Sequence, residues 1–316
     1  MRHLFVLDPL ERLLPDADTS IAFLREAQGR GHRCAACRVE TLGLGEGGRP
    51  RALAADLTVQ DGDDWYRAGA AHPAHLDEFD VVWMRKDPPF DLEYLFATHI
   101  LSLVDRRTLV VNEPQALRDA NEKLFALHFP AVCPETIVSR SIPELLAFRE
   151  RLGGEMVVKP LDGAGGEGVF HITPGDRNTK AILELSTAHG RRYLMAQRFI
   201  PEVREGDKRI ILVEDEPVGA VLRVPPEGEA RANFHVGGRA ARTELTARDR
   251  EICAAVGPTL RERGILFAGL DVIGGWLTEV NVTSPTGIRE IRQLGGADIE
   301  RLVLDAVEAR LAARRG

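Results

Sequence analysis

Residues 156–170 read MVVKPLDGAGGEGVF, and Gly163, Gly165 and Gly168 within them spell G-x-G-x-x-G, the letters of a dinucleotide-binding fingerprint. That fingerprint needs a strand before the glycines and a helix N-terminus after them, where a pyrophosphate sits. Here the glycines run into Val169, Phe170, His171 and Ile172, mostly β-branched and aromatic residues that favour a strand. The stretch also lies mid-chain, whereas the first βα turn is the expected place. The residues therefore predict a strand–turn–strand hairpin, not an NAD site. Such a hairpin can still bind phosphate, because glycines let backbone N–H groups approach oxygens closely. Lys159, on the first strand, could add a point charge. On this stretch alone, a phosphate cradle and a mobile turn with a solvated lysine both stand.

On the N-terminal side of the hairpin, strands alternate with helices. HLFVLDP, RCAACRVETL, FDVVWMRKDPPF and TLVVNEP read as strands, and SIAFLREAQGRGH and EYLFATHILSLVDRR as helices. This alternation argues for a parallel sheet covered by helices, an α/β class. QALRDANEKLFALHF reads as one helix with Leu117, Leu124, Phe125 and Phe129 as its apolar positions. Beyond it PETIVSR, MVVKPL, GVFHI, YLMAQRFI, DKRIILVE, PVGAVLRV, LFAGLDVIG and WLTEVNV are strands in tandem pairs. Tandem pairs suggest antiparallel sheet, so the fold class is α/β followed by α+β. Helices are expected near 178–188, 247–263 and 298–312, the last with Ile299, Leu302, Val303, Ala306, Val307 and Leu311 in a helical stripe. Residues 224–243, VPPEGEARANFHVGGRAART, read as a long polar loop, either a functional lid or disordered.

Composition narrows the function. The chain has 316 residues, 44% apolar and 28% charged, with a formal net charge of −7, as in an ordinary soluble globular protein. Without a dominant basic face, nucleic acid is excluded as the main partner. The opening MRHLFVLDP is too short for a signal peptide and no apolar run approaches a membrane span, so a cytoplasmic location without a membrane partner is expected. Cys34 and Cys37 form C-x-x-C, but no second pair completes a zinc set. Three positions apart in a strand they face opposite sides, which points to buried small residues.

The candidate chemistry lies in charged residues near the strands. Glu279 and Asn281, two apart in a strand, share one face, and Asp271 is on the preceding strand of the same hairpin. Three oxygen ligands suit Mg²⁺, although a Glu and an Asn on a wet face would also read this way. Asp271 sits in an apolar strand, where an ionised carboxylate is costly unless paired or metal-bound. Arg209, Arg223, Arg231 and Arg239 lie at strand ends or in the long loop, where they could grip phosphate or merely solubilise. Arg85 ends a buried strand at the edge where open α/β sheets bind ligands, a candidate for a substrate carboxylate or a surface ion pair.

VVKPLDGAGG, MAQRFIP, GDKR, GLDVIG, LTEVNVTSPTGIREI, NEKLF and MRKDPPF together resemble bacterial glutathione synthetase, an ATP-grasp ligase, over nearly the whole chain. The resemblance implies an N-terminal α/β substrate domain over 1–122 and a two-part ATP-grasp fold. Its small part would span 123–200, and its C-terminal part 201–316, with a lid at 224–240. It implies that ATP phosphorylates a carboxylate of γ-glutamylcysteine and that glycine attacks the acyl phosphate, releasing ADP and phosphate. By the same resemblance Lys123 and Lys159 contact ATP phosphates under the loop of Gly163, Gly165 and Gly166. Gln197, Arg198, Phe199 and Ile200 lie at the adenine, and Asp207 near the ribose. Asp271, Glu279 and Asn281 hold Mg²⁺, or Mn²⁺ in its place. Arg209, Arg223 and Arg239 serve the transferring phosphoryl group. Arg85, Ser284, Thr286 and Arg289 bind the dipeptide. A homotetramer is also implied. Departures from the family pattern are Ala164 and Glu167 in the glycine loop, Gly287 in place of a cysteine, and Phe234 and His235 in the lid. They keep open an ATP-grasp carboxylate–amine ligase for another amino acid or dipeptide. A non-enzymatic nucleotide-binding module is a third reading, against which the intact Asp271, Glu279 and Asn281 argue.

Overall fold

The computed structural model describes residues 1–60, 62, 64–163, 165–226 and 237–315. Ala164, Arg231, Phe234, His235 and most of the expected lid lie outside them. The chain begins with β1 (Arg2–Leu7), α1 (Thr19–Gly29), β2 (Arg33–Arg38), β3 (Gly43–Leu44), β4 (Pro50–Val59), β5 (Tyr66–Ala68), β6 (His72–His75), β7 (Val81–Met84), α2 (Leu92–Leu101) and β8 (Leu109–Val111). The strand order is β3-β4-β2-β1-β7-β8, with β5 and β6 paired to β4. Strands β2, β1, β7 and β8 run parallel. Strand β4 is antiparallel to β2, and β5 and β6 are antiparallel to β4. The expected parallel sheet is therefore mixed. The antiparallel edge escapes a hydrophobicity reading because the inward residues of β4 are mainly Ala52, Ala54 and Leu57, a weak period-2 signal. Cys34 packs on one face with Phe5 and Leu7, and Cys37 on the other with Leu4 and Val6, as the strand period requires.

Next come α3 (Pro114–Asp119) and α4 (Glu122–Ala126), where one helix was expected. The break is at Asn121, whose side chain accepts from the backbone N–H of Lys123 (3.2 Å) and Leu124 (3.0 Å) and so caps a new helix. Its amide also donates to the Leu161 carbonyl at 2.9 Å. This cap turns Lys123 inward and leaves Leu124, expected inside, exposed.

A four-stranded antiparallel sheet follows, from β9 (Thr136–Ser139), α5 (Ile142–Arg151), β10 (Met156–Pro160), β11 (Phe170–Ile172), α6 (Thr179–Ser186) and β12 (Leu194–Gln197), in the order β11-β10-β12-β9. It has its own small core of Leu145, Phe148, Met156, Val158, Ile172, Leu183, Leu194 and Ala196. Phe125, Ala126, Val132 and Cys133 belong instead to the larger core between the first and third sheets.

The third sheet is antiparallel, ordered β15-β14-β13-β16-β17. It comprises β13 (Asp207–Val213), β14 (Glu216–Val224), β15 (Arg239–Arg242), α7 (Ala247–Glu262), β16 (Phe267–Ile273) and β17 (Trp276–Asn281), followed by α8 (Ile288–Gln293) and α9 (Ile299–Arg315). Strand β15 corrects the reading of 224–243 as loop throughout, since Arg239–Arg242 pair with β14. Helix α8, also unforeseen, starts from Gly287 at φ 116°. Asn112, buried at the end of β8, joins the first and third sheets. Its amide donates to the carbonyls of Phe267 (2.8 Å) and Val282 (2.7 Å), and its oxygen accepts from the N–H of Leu266 and Phe267.

Candidate functional site

The glycine stretch joins β10 to β11, which pair antiparallel from Met156 opposite Ile172. It is a hairpin, as the flanking residues demand. Gly165, Gly166 and Gly168 have φ of 63°, 82° and 69°, a region that side chains disfavour. A Cβ on Gly163 would lie 2.8 Å from Pro160 Cγ and 3.0 Å from the Glu167 carbonyl oxygen.

Two lysines converge beneath this turn. Lys159 is buried on β10 and donates to Gln197 Oε1 at 3.2 Å. Lys123 donates to the Gly163 carbonyl (2.5 Å) and Glu122 (2.7 Å), with Glu279 at 3.9 Å. Burial pulls the Lys123 ammonium down, but Glu279 and Glu122 outweigh it and hold the pKa above its ordinary value. A cleft of about 270 Å³ opens between the four-stranded and third sheets. Its charged end carries Lys123, Lys159, Gly163, Gly165 and Gly166. Gln197, Arg198, Phe199, Ile200 and Asp207 also line the cleft, Gln197 beside Lys159, with Val157, Val169 and Ile273 as apolar wall. His171 stacks on Phe199 with centroids 3.8 Å apart, and the Arg198 side chain turns away to pair with Glu135. A cleft with an apolar wall, two lysines and a glycine turn has the character of a nucleotide site.

A second cleft lies toward the first sheet. The loop between β1 and α1 contributes Arg12, Leu13 and Leu14, the hairpin Gly165, Glu167 and Gly168, and the segment after β17 Ser284, Pro285 and Thr286. The two clefts share Glu122, Gly165, Glu167, Asp271 and Glu279.

Beside that junction four buried charges alternate across adjacent strands. Asp207 faces Arg223, Arg209 faces Asp271, and Asp271 faces Glu279 in the strand register. Arg209 grips Asp271 with two nitrogens, Nε to Oδ1 at 2.5 Å and Nη2 to Oδ2 at 3.0 Å. Arg223 Nη2 touches both Asp271 Oδ2 (3.0 Å) and Asp207 Oδ2 (2.5 Å). Burial alone would raise the Asp271 pKa, yet the two arginines hold it far below the carboxylate range. Asp207 goes the other way, to about 6, because burial and the Asp271 charge outweigh Arg223. Asp207 Oδ1 and Arg223 Nε are buried without a hydrogen-bond partner among the described residues.

The expected metal residues can be tested on this geometry. Asp271, Glu279 and Asn281 meet on β16 and β17, and all three line the second cleft. Asn281 Nδ2 donates to the Gly269 carbonyl at 3.3 Å, leaving Oδ1 as its ligand atom. Both Asp271 oxygens already accept from arginine. The all-oxygen donor set fits a hard divalent ion, with Asp271 shared between ion and arginines. Among the described residues no group of three or more His, Cys, Asp or Glu is placed to hold a metal, and here the third member is an asparagine.

Other expected residues fall at or behind the cleft walls. Ser284 and Thr286 line the second cleft, and the Thr286 carbonyl accepts from Arg209 at 3.1 Å. Arg85 is not among the described lining residues. It is buried under the wall, donating to Ser20 Oγ (3.1 Å) and the Pro285 carbonyl (3.3 Å), with its guanidinium over Phe23 and Phe267. Arg289 reaches the Asp16 carbonyl at 3.3 Å, outside the described lining. Arg239 is exposed at the start of β15, opposite Val224. Sequence reading missed Arg12, Glu122, His171 and the Asn112 clasp. Only Glu122 carried a signal, as the neighbour of Lys123.

The model of the prokaryotic glutathione synthetase N-terminal domain matches residues 1–118, and that of the prokaryotic glutathione synthetase ATP-grasp domain matches residues 122–296. A glutathione synthetase from Gloeobacter violaceus is 49% identical over 312 residues, 96% of each chain. One from Pseudomonas syringae pv. tomato is 47% identical over 314 residues, 98% of each. Among solved structures, a D-cycloserine synthetase superposes with a TM-score of 0.66 at 17% identity, covering 98% of this chain and 99% of that one. A macrocyclase from Microcystis aeruginosa, bound to its precursor peptide, also gives 0.66 at 15% identity, covering 98% and 100%. At such identities these two show a shared ATP-grasp fold alone.

Proposed function

The chain belongs to the prokaryotic glutathione synthetase family, and from that premise we propose how its two clefts carry out ATP-dependent glutathione formation. The protein is an ATP-dependent ligase acting on small molecules. In our reading ATP lies in the first cleft and γ-glutamylcysteine in the second. The cysteinyl carboxylate takes the γ-phosphoryl group, ADP leaves, and the amine of glycine attacks the acyl phosphate to release phosphate. The observation that carries this reading is the meeting of the clefts at Glu122, Gly165, Glu167, Asp271 and Glu279. None of these is a nucleophile of the Ser, Cys or Lys kind, which suits phosphoryl transfer by positioning and charge neutralisation.

Within this reading Lys123 and Lys159 neutralise phosphate oxygens, and Gly163, Gly165 and Gly166 offer backbone N–H groups over them. Gln197 to Ile200 and Asp207 border the nucleoside. Arg209 and Arg223 steady the phosphoryl group and acyl phosphate, a role for which Arg239 has no supporting contact among the described residues. Ser284 and Thr286 border the dipeptide, while Arg85 and Arg289 brace that wall from behind. Asp271, Glu279 and Asn281 would hold Mg²⁺, or Mn²⁺ in its place, which when bound supplies positive charge to phosphate oxygens. We also propose three units at 1–122, 123–200 and 201–316, a homotetramer, and a cytoplasmic location. No described helix is long and apolar enough to cross a membrane. The similarity to glutathione synthetases over nearly the full length favours this substrate pair over the ligase for another amino acid or dipeptide. The test is to combine protein, MgATP, γ-glutamylcysteine and glycine, and to follow ADP and the tripeptide mass. ADP release only with a different amine or acid would overturn the assignment.

A further inference from the structure

We propose that Arg12 and Glu167 form the pair that recognises the α-amino-carboxylate end of the γ-glutamyl group, Arg12 taking the carboxylate and Glu167 the ammonium. This rests on the ligase reading above.

The arginines there are Arg12, Arg209 and Arg223. Arg209 and Arg223 are tied to Asp271, and Arg223 to Asp207 as well. Arg12, on the loop after β1, is exposed and has no hydrogen-bond or ion-pair partner among the described residues. The carboxylates reduce in the same way. Glu122 and Glu279 face Lys123, at 2.7 and 3.9 Å. Asp18 and Asp87 stand in the electrostatic neighbourhood of the buried Arg85 guanidinium, with no direct ion pair to it among the described residues. Asp18 also caps α1 through the N–H of Ser20. Glu167, on the glycine hairpin, is exposed and has no cation partner among the described residues. Arg12 and Glu167 thus stand without a charged partner among the described residues of the cleft wall, and a ligand carrying one charge of each sign would complete both.

γ-Glutamylcysteine has such a group. Its reacting carboxylate belongs at the junction with the first cleft, beside Arg209 and Arg223. Its γ-glutamyl Cα carries a carboxylate and an ammonium a dipeptide's length away. Arg12 and Glu167 both line the second cleft. Arginine matches a carboxylate with two parallel N–H bonds. The pairing also accounts for an acid in a glycine turn next to phosphate, since the side chain of Glu167 serves the acceptor substrate.

The test crosses two variants with two substrate analogues. 4-Aminobutyryl-cysteine lacks the α-carboxylate, and glutaryl-cysteine lacks the ammonium. Arg12→Gln should raise KM for γ-glutamylcysteine about ten- to hundred-fold, the range of a charged hydrogen bond, while KM for ATP and glycine moves less than about twofold. The unaltered protein should disfavour 4-aminobutyryl-cysteine by a similar factor, and Arg12→Gln should not. Glu167→Gln should behave likewise toward glutaryl-cysteine. Both positions are exposed, so the variants should melt like the parent. Variants with unchanged KM for γ-glutamylcysteine, variants that still discriminate, or a rise in the KM of glycine instead would each overturn the pair while leaving the ligase reading intact. Failure of the unaltered protein to use γ-glutamylcysteine would overturn both.

Discussion

Replacing Asp271 by Asn tests the logic of the buried charges most directly. Asp271 is 4% exposed and accepts from Arg209 Nε, Arg209 Nη2 and Arg223 Nη2 at 2.5, 3.0 and 3.0 Å. Asp271→Asn keeps the volume and removes the charge. Arg223 retains Asp207, but among the described residues Arg209 retains only the Thr286 carbonyl. One buried guanidinium is then uncompensated, which costs about 3–5 kcal/mol. That is a large part of the stability of an ordinary domain, about 5–15 kcal/mol. Arg209→Met alone should cost less, because Asp271 keeps Arg223. The double variant removes a charge pair together and should be more stable than Asp271→Asn alone. Urea unfolding of all four proteins without nucleotide, followed by circular dichroism, gives the coupling energy. A loss below about 1 kcal/mol for Asp271→Asn, or simple additivity in the double variant, would refute the claim that this carboxylate is held by its two arginines.

Three further outcomes are expected. Gly287 has φ 116°, and a Cβ there would lie 3.4 Å from Arg209 Cγ, so Gly287→Ala should lower stability by about 1–3 kcal/mol in the same urea assay. His3 accepts from Trp83 Nε1 at 3.0 Å and faces His32 at 3.1 Å. Burial, the neighbouring His32 and the N-terminus push its pKa down to about 3, so the folded protein keeps it neutral. Its contribution is complete above the ordinary histidine value and is lost as pH falls from about 6.5 toward 3, by about 1.4 kcal/mol per unit. His3→Gln should flatten the fall of the urea midpoint between pH 6.5 and 5. Burial pushes the Cys34 and Cys37 thiols up to about 12, and they face opposite sides of the sheet. Neither should react with a disulfide reagent until urea unfolds the chain, which thiol titration checks.

The hairpin was legible because its flanking residues, Val158 before and Phe170 after, carry local β preference that needs no partner. The alternating quartet was not. Asp207, Arg209, Arg223 and Asp271 come together through cross-strand register, and register depends on the partner strand and its turns. The sequence left Asp271 to be either paired or metal-bound. The structure pairs it with two arginines on two other strands of the same sheet. Asn121 misled in another way, since its cap signal lay inside an apolar pattern long enough for one helix. Arg85 was read as a ligand contact from its place at a strand end. Packing against Phe23 and Phe267 instead buries it behind the wall it was expected to line.

The division of these charges between sheet and loop bears on how specificity could vary without loss of the ligase chemistry. Arg209, Arg223 and Asp271 stand on neighbouring strands, and each fixes the next, so a change at one disturbs its partners. Arg12 and Glu167 stand on connections and touch no other described charge. Connections tolerate substitution more readily than the elements they join. Exchange at 12 or 167 can therefore alter which acceptor is held without disturbing the charge balance around Asp271. Glu167 shows why the glycine turn does not have to be read as a phosphate device alone. The φ angles of Gly165, Gly166 and Gly168 define the turn, and the residue carried between them is free to face the other substrate.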